Sequence, residues 1–276
     1  VPALDVPALD VSALDATGVD AALRGSLFAG RIEHFAEIDS TNTYAMQAAA
    51  AGAAHGSVYV ADAQTAGRGR GAHQWASPAG SGLYASVLLR PALAPGDALW
   101  LSLAAGVAAM DAIEAVCGWS PDLRWPNDLM AGKRKLGGIL TEMQAEATRV
   151  RFVVIGIGIN VHQPSFPQEL AARATSLAIE RPHATVNRTE LLAALLRALE
   201  RESALLSTAQ PQAAQQQLLR RIEGRSTWVR GKRVIVGEDA PFEGVTEGLD
   251  ARGFLQVRTE DGALRTVLSG GVREQE

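Results

Sequence analysis

Residues 150–159 restrict the fold most, because positions 152–157 are apolar almost without a break. A strand with one face in water alternates apolar and polar residues, whereas a continuous apolar run of strand length belongs to a strand covered on both faces. The chain must therefore supply packing layers around a sheet. Residues 135–143 read as the strand before it, the two forming a hairpin, and residues 58–61, 83–89 and 123–125 read as further strands. Residues 97–117 read as a helix, and residues 190–206 and 213–222, with apolar side chains at helical spacing, as two more that cover one face of the sheet. The alanine-rich run 44–54 reads as a helix capped by Ser40, Thr41 or Asn42.

With 276 residues, 47% of them hydrophobic, the chain has room for one large domain and one small one. From Ser226 onward the texture changes to short strands at 232–236, 243–250, 254–259 and 263–268, with Asp261-Gly262 as a hairpin turn between the last two, which suggests a small barrel. The first residues repeat V-P-A-L-D, V-P-A-L-D, V-S-A-L-D. Their aspartates interrupt any apolar core and no basic stretch precedes them, so the segment is not read as a signal peptide but as a low-complexity extension. Residues 99–117 are apolar, yet Asp111, Glu114 and many small residues favour a packed helix over a membrane span.

A net charge of −4 argues against a dedicated nucleic-acid binder, which needs a basic surplus against phosphate. The single cysteine, Cys117, has no internal disulfide partner and sits in an apolar stretch, so it reads as a small core residue in a reducing, cytoplasmic setting. There is no C-x-x-C pair and no histidine cluster, which argues against a structural zinc site.

The connection between the strands at 58–61 and 83–89 contains Gly67-Arg68-Gly69-Arg70-Gly71 and then Trp75. Glycine lets backbone approach a ligand, and guanidinium groups offer paired donors to phosphate or carboxylate. By itself such a run serves equally well as an RNA-binding segment or a solvated loop. A connection of this length inside a compact domain is usually functional or disordered. Neither a P-loop nor a dinucleotide fingerprint is present, since no G-x-x-x-x-G-K-[ST] occurs and no helix with an acidic partner follows the glycines.

Four further segments accompany the loop: Asp39-Ser40-Thr41-Asn42, Gln64, Arg124-Trp125-Pro126-Asn127-Asp128 with Lys135-Leu136-Gly137-Gly138, and Gly156-Ile157-Gly158-Ile159-Asn160. In this order they resemble the biotin protein ligase family, over roughly residues 39–162. The resemblance implies an α+β fold, a mixed β-sheet with helices packed on it, followed by a small C-terminal SH3-like β-barrel. It divides the chain into an extension at 1–20, a catalytic domain at 21–225 and the barrel at 226–276. With fewer than forty residues ahead of the first motif, the chain looks like the short form of the family, without an N-terminal DNA-binding domain.

The implied reaction activates biotin with ATP to biotinyl-5′-AMP and transfers it to a lysine of a biotin carboxyl carrier protein of a biotin-dependent carboxylase. ATP and Mg2+ are the implied cofactors, with no nucleic acid or membrane partner, and the enzyme is a monomer or a homodimer. Lipoate or octanoate ligation or transfer, or non-catalytic biotin binding, are the competing activities; Gln64, Arg68 and Arg70 favour biotin.

By resemblance Lys135 bridges the biotin carboxylate and the α-phosphate, and Arg68 and Arg70 close over them. Without the flanking motifs Lys135 would read as one of the solvated charges in Lys133-Arg134-Lys135. Ser40, Thr41, Asn42 and Gln64, with Gly67, Gly137, Gly138 and Gly156, are implied to hold biotin. Trp75 either lines its chain or is an ordinary core tryptophan. Arg70, Arg124, Asn127, Asp128 and Asn160 are implied to surround ATP, joined from the barrel by Arg233 and Arg273. Asp128 either holds magnesium, helps deprotonate the acceptor lysine, or simply serves a turn after Pro126.

Overall fold

The structure, a computed structural model, describes residues 13–71, 73–208, 210–237, 241–268 and 270–275. In chain order the elements of the larger domain are α1 (Ala16–Ala22), β1 (Ile32–Ile38), α2 (Thr41–Ala50), β2 (Val58–Gln64), β3 (Gly82–Leu89), α3 (Ala98–Cys117), β4 (Asp122–Arg124), β5 (Asp128–Ala131), β6 (Arg134–Ala145), β7 (Val150–Asn160), α4 (Gln168–Ala171), α5 (Leu177–Glu180), α6 (Arg188–Leu206) and α7 (Gln212–Arg225). The smaller one holds β8 (Arg230–Val236), β9 (Phe242–Leu249), β10 (Leu255–Arg258), β11 (Leu264–Val267) and β12 (Val272–Glu274).

The larger sheet has the order β1-β2-β3-β7-β6-β5-β4, parallel only between β1 and β2, so it is mixed. Strands β3 and β7 lie at its centre, which is why β7 is nearly free of polar side chains. Alternation divides the sheet's two faces. Val58, Val60, Leu83, Ala85, Val87, Val153, Ile155, Ile157 and Ile159 point to one side and share a core with α3 and α6. Tyr59, Leu88, Phe152 and Val154 point to the other and pack on Ala45 and Ala49 of α2.

Helix α3 is long and apolar enough to cross a membrane, but its residues are mostly buried against the sheet and α6. Its small residues permit that close packing: a Cβ on Gly106 would come within 2.9 Å of Leu123. Helix α6 starts at a true N-cap, Asn187, whose side chain accepts from the Thr189 and Glu190 amides. Arg188 beside it is buried but paired, donating to Asp62 Oδ1 at 2.7 Å and to the Gly82 carbonyl at 3.1 Å.

Residues 1–12 of the expected extension lie outside the described residues. From residue 14 onward the chain is part of the fold, contrary to an extension reaching residue 20. Leu14 and Val19 are buried in the main core, α1 packs on α6, and the Asp15 amide donates to Thr189 Oγ1 at 2.9 Å. Leu14, from the last copy of the repeat, finds a partner surface here, which its local sequence does not reveal.

The five-stranded sheet, β11-β10-β9-β8-β12, is antiparallel throughout and fits a small SH3-like barrel. Gly262, at φ 83°, sits in the turn between β10 and β11, where the Thr259 and Ala263 backbones bond each other. The barrel docks on the larger domain through the Trp125 indole, which donates to the Gly253 carbonyl at 2.9 Å, and through Ser226 Oγ, which donates to the Leu123 carbonyl at 2.6 Å.

Candidate active site

On the α2 side, where the sheet is only half covered, β3, β7 and β6 lay side by side the rows Ser86-Gly156-Leu140 and Tyr84-Gly158-Gly138. These rows form the floor of a trough enclosing about 470 Å³, part of it open to solvent. The floor is bare because the sequence alternates Gly with Ile: the isoleucines face α3, the glycines face the trough. A Cβ on Gly156 would come within 2.5 Å of Asn42 Oδ1, and one on Gly158 within 2.6 Å of Trp75 Nε1. The polar side chains of the site occupy the volume that the missing methyl groups leave.

One end of the trough is lined by neutral donors and acceptors. Ser40 caps α2, its Oγ accepting from the Thr43 amide at 3.4 Å, so Ser40 and not Asn42 supplies the cap. The helix therefore starts at Thr41 and aims Thr41 and Asn42 at the sheet. The Thr41 amide and hydroxyl both donate to Gln64 Oε1, at 2.9 and 3.1 Å. Gln64 Nε2 donates to Ser77 Oγ at 2.8 Å, and Ser86 Oγ lies 2.9 Å from Thr41 Oγ1 and 3.1 Å from Asn42 Oδ1. Ser40, Thr41, Asn42 and Ser86 are all buried, so the set is dry and its partners matter. Burial pushes the nearby Tyr84 phenol well above its usual range, so it stays a neutral donor, to the Pro78 carbonyl at 3.1 Å.

The other end is cationic. Lys135 Nζ lies 2.5 Å from Asp128 Oδ1 and 5.6 Å from the centre of the Trp75 ring. Asp128 Oδ2 accepts from Arg124 Nη2 at 2.6 Å. Burial acts to raise the Asp128 carboxyl, but the charges of Lys135 and Arg124 outweigh it and hold the group below the usual carboxylate range. Arg70 donates to Asn127 Oδ1 at 3.1 Å, whereas Arg68 reaches toward the neutral end and donates through both terminal nitrogens to Glu142, each at 2.8 Å. The Lys135 backbone is clamped by residues 173–175: its amide donates to the Arg173 carbonyl at 2.7 Å and its carbonyl accepts from the Thr175 amide at 2.9 Å.

The glycine and arginine loop forms no regular element and spans the trough between the ends. Its two limbs meet at Gly67, whose carbonyl accepts from the Trp75 amide at 2.9 Å; a Cβ there would lie 2.3 Å from the Trp75 carbonyl oxygen. Trp75 lies over Gly158 and Gly138, not in a core, with its indole nitrogen buried and without a protein acceptor among the described residues.

Of the residues singled out from the sequence, Ser40, Thr41, Asn42, Gln64, Arg68, Arg70, Trp75, Asn127, Lys135, Gly138 and Gly156 line the trough together. Gly67 shapes the loop. Gly137 turns to the opposite side, where a Cβ would meet Leu129 at 3.0 Å. The Asn160 side chain is engaged beneath the site, donating to the Thr175 carbonyl at 2.9 Å. Arg124 stands behind Asp128, with its guanidinium 5.2 Å from the centre of the Trp228 ring. Arg233 and Arg273 are exposed on the barrel and are not part of the trough lining.

Asp128 starts β5 and is no mere turn residue, yet both its oxygens are taken by cations. It therefore does not fit a magnesium ligand in this arrangement, and among the described residues no group of three acidic, histidine or cysteine side chains is gathered to hold a metal. Cys117 is buried in the core, its thiol pushed up by burial, and it is absent from the trough lining.

Sequence reasoning missed Ser86, Glu142 and Thr175. A lone serine within the buried strand β3 and a carboxylate two residues beyond Leu140 on the face of Gly138 were the available signals for the first two. Nothing in the local sequence marks Thr175.

Residues 34–160 match the Biotin/lipoate A/B protein ligase family, and residues 230–272 match the Biotin protein ligase C terminal domain. The chain is 36% identical over 250 residues to the biotin--[acetyl-CoA-carboxylase] ligase of Mycobacterium tuberculosis, covering 87% of each chain. It is 49% identical over 142 residues to the bifunctional ligase/repressor BirA of Bacillus spizizenii, a match that takes in 51% of this chain and only 44% of that protein. In structure it is similar to the biotin protein ligase from Aquifex aeolicus in complex with biotin and ATP, with a TM-score of 0.76 at 27% identity, covering 89% of this chain and 100% of that one.

Proposed function

The chain belongs to the biotin protein ligases, and we propose that it converts biotin and ATP to biotinyl-5′-AMP and passes the biotinyl group to a lysine of a biotin carboxyl carrier protein. The observation that carries this reading is the polarity of the trough: Lys135 and Arg70 stand beside Asp128 and Asn127 at one end, Thr41, Gln64 and Ser86 form the other, and Arg68 reaches over the neutral end to Glu142. A ligand with a neutral donor and acceptor head, an apolar chain and a terminal carboxylate matches that sequence of environments.

In the first step a biotin carboxylate oxygen attacks the α-phosphorus, a new P–O bond forms, and the bond to the β-phosphate oxygen breaks to release pyrophosphate. No protein nucleophile is required. The obstacle is repulsion between two anions, and fixed cations at their meeting point reduce it. Lys135 is assigned to that point. Asp128 and Arg124 set where its ammonium rests, and the clamp from residues 173–175 sets where its backbone rests. Arg68 and Arg70 neutralise the phosphate and carboxylate from the loop, which also keeps water from the mixed anhydride.

In the second step the acceptor lysine amine attacks the biotinyl carbonyl, the amide bond forms and AMP leaves with the anhydride oxygen. The neutral amine must lose a proton as it attacks. Asp128 is the carboxylate beside Lys135 and is assigned to receive that proton once ligand anions have drawn Lys135 away from it.

The test is ATP–pyrophosphate exchange with biotin, then with lipoate or octanoate. Exchange that depends on biotin alone is the expected result; exchange with lipoate or octanoate instead would reassign the acid, and none with any acid from folded protein would end the ligase reading.

A further inference from the structure

Glu142 carries a role that neither the motifs nor the relatives' names assign. We propose that Glu142 is a positioning residue that holds Arg68 across the trough and ties the loop to the neutral end of the site. This rests on the reading that Arg68 acts on the bound anions.

The geometry is a circuit of polar contacts in which chemistry fixes every hydrogen-bond direction except that of the single Ser86 proton. A carboxylate only accepts, so both Glu142 oxygens take protons: from Arg68 Nη1 and Nη2 at 2.8 Å each, and from Asn42 Nδ2, 2.5 Å from Oε2. That contact orients the Asn42 amide, leaving Oδ1 turned to Ser86 Oγ at 3.1 Å. Ser86 has one proton and two acceptors in reach, Asn42 Oδ1 and Thr41 Oγ1, because Thr41 gives its own proton to Gln64. Gln64 then donates to Ser77, and Ser77 Oγ donates to the Trp75 carbonyl at 3.1 Å. Both limbs of the loop, Arg68 on one side and Trp75 on the other, are thus anchored to the same buried residues that would read the ligand's head.

Glu142 is the only carboxylate in this circuit as described. Its side chain is 26% exposed and that of Arg68 is 42% exposed, so the pair is weaker than a buried one. A paired, end-on guanidinium is nevertheless restricted in direction, and its remaining N–H groups then point to one place. Removing the carboxylate charge frees Arg68 and loosens the loop without touching the floor or Lys135.

The experiment compares the full chain with Glu142→Gln, Arg68→Gln and the double variant. Limited trypsinolysis without ligand reads loop opening as cleavage after Arg70, with cleavage after the exposed Arg252 as the internal reference. Glu142→Gln is expected to speed cleavage after Arg70 by about fivefold, the size expected for a partly exposed ion pair, with the reference unchanged. Biotin-dependent exchange should lose about fivefold in kcat/KM by the same argument, and Glu142→Gln should add nothing in the Arg68→Gln background. Equal cleavage after Arg70 in wild type and Glu142→Gln, or effects on exchange that multiply in the double variant, would overturn the proposal. If Glu142→Gln does not fold by circular dichroism, Arg68→Gln alone must give the same rise after Arg70, and no rise overturns it. The proteolysis needs no ligand, so failure of the ligase reading leaves the Glu142 result decided separately.

Discussion

Strand β7 has two faces with opposite tasks. On one, Ile155, Ile157 and Ile159 join α3 in the core; on the other, Gly156 and Gly158 are the floor of the trough. Because side chains alternate along a strand, a single stretch of chain serves both, and stability and ligand contact are divided by parity of position and not by segment. Neighbouring substitutions on β7 should therefore fail in different assays.

The largest effect is expected just off that floor. Lys135→Ala should lower biotin-dependent exchange by about a thousandfold, the scale of losing a group that stabilises developing charge, while the protein still folds by circular dichroism. Normal exchange by the folded variant would remove Lys135 from the chemistry. On the core face, Ile157→Ala should cost about 2–5 kcal/mol of stability, measured by urea unfolding, while the folded fraction keeps its exchange rate. A comparable loss of activity per folded molecule would show that the faces are not separable. On the trough face, Gly158→Ala should reverse the pattern: the added methyl group meets the Trp75 indole, and biotin affinity by calorimetry should drop by about tenfold while stability falls less than in Ile157→Ala.

The smallest effect concerns acid. The Asp128 carboxyl lies below its unfolded value, so its contribution to stability is present above about pH 4 and is lost as pH falls through the folded value. Asp128→Asn should flatten the stability curve in that acid range and leave its slope near neutrality unchanged. A slope that persists in the variant would place the acid sensitivity elsewhere, in carboxylates such as Asp111, which also lies below its usual range. There burial acts to raise the group and the arginines Arg225 and Arg221 overcome it.

The hairpin of β6 and β7, helices α3, α6 and α7, and most barrel strands were legible because each carries its own periodicity. Strand β1 was not: Glu33, His34 and Glu37 obscure its pattern, and its place is set by parallel pairing with β2 at the sheet edge. Strand β5 is four residues long and begins straight after Pro126-Asn127, so local turn chemistry hid it. Strand β12, three residues long, exists through its pairing with β8. Around α1, which follows the repeat, only the tertiary packing, with α6 as a neighbour, makes Leu14, Val19 and Leu23 core residues.

The same division holds at the site. The arginines of the loop, the lysine of residue 135 and the alternating Gly and Ile of residues 156–159 were legible as residue types in the order that carries the family resemblance, because type and order reside in one dimension. Which acid faces which base does not. Glu142 meets Arg68 across 74 residues of sequence, and Asp128 lies between Lys135 and Arg124 through the register of β4, β5 and β6. Ion pairs and hydrogen bonds depend on distances of a few ångströms, and only the assembled sheet, with the first turn of α2 above it, sets those distances.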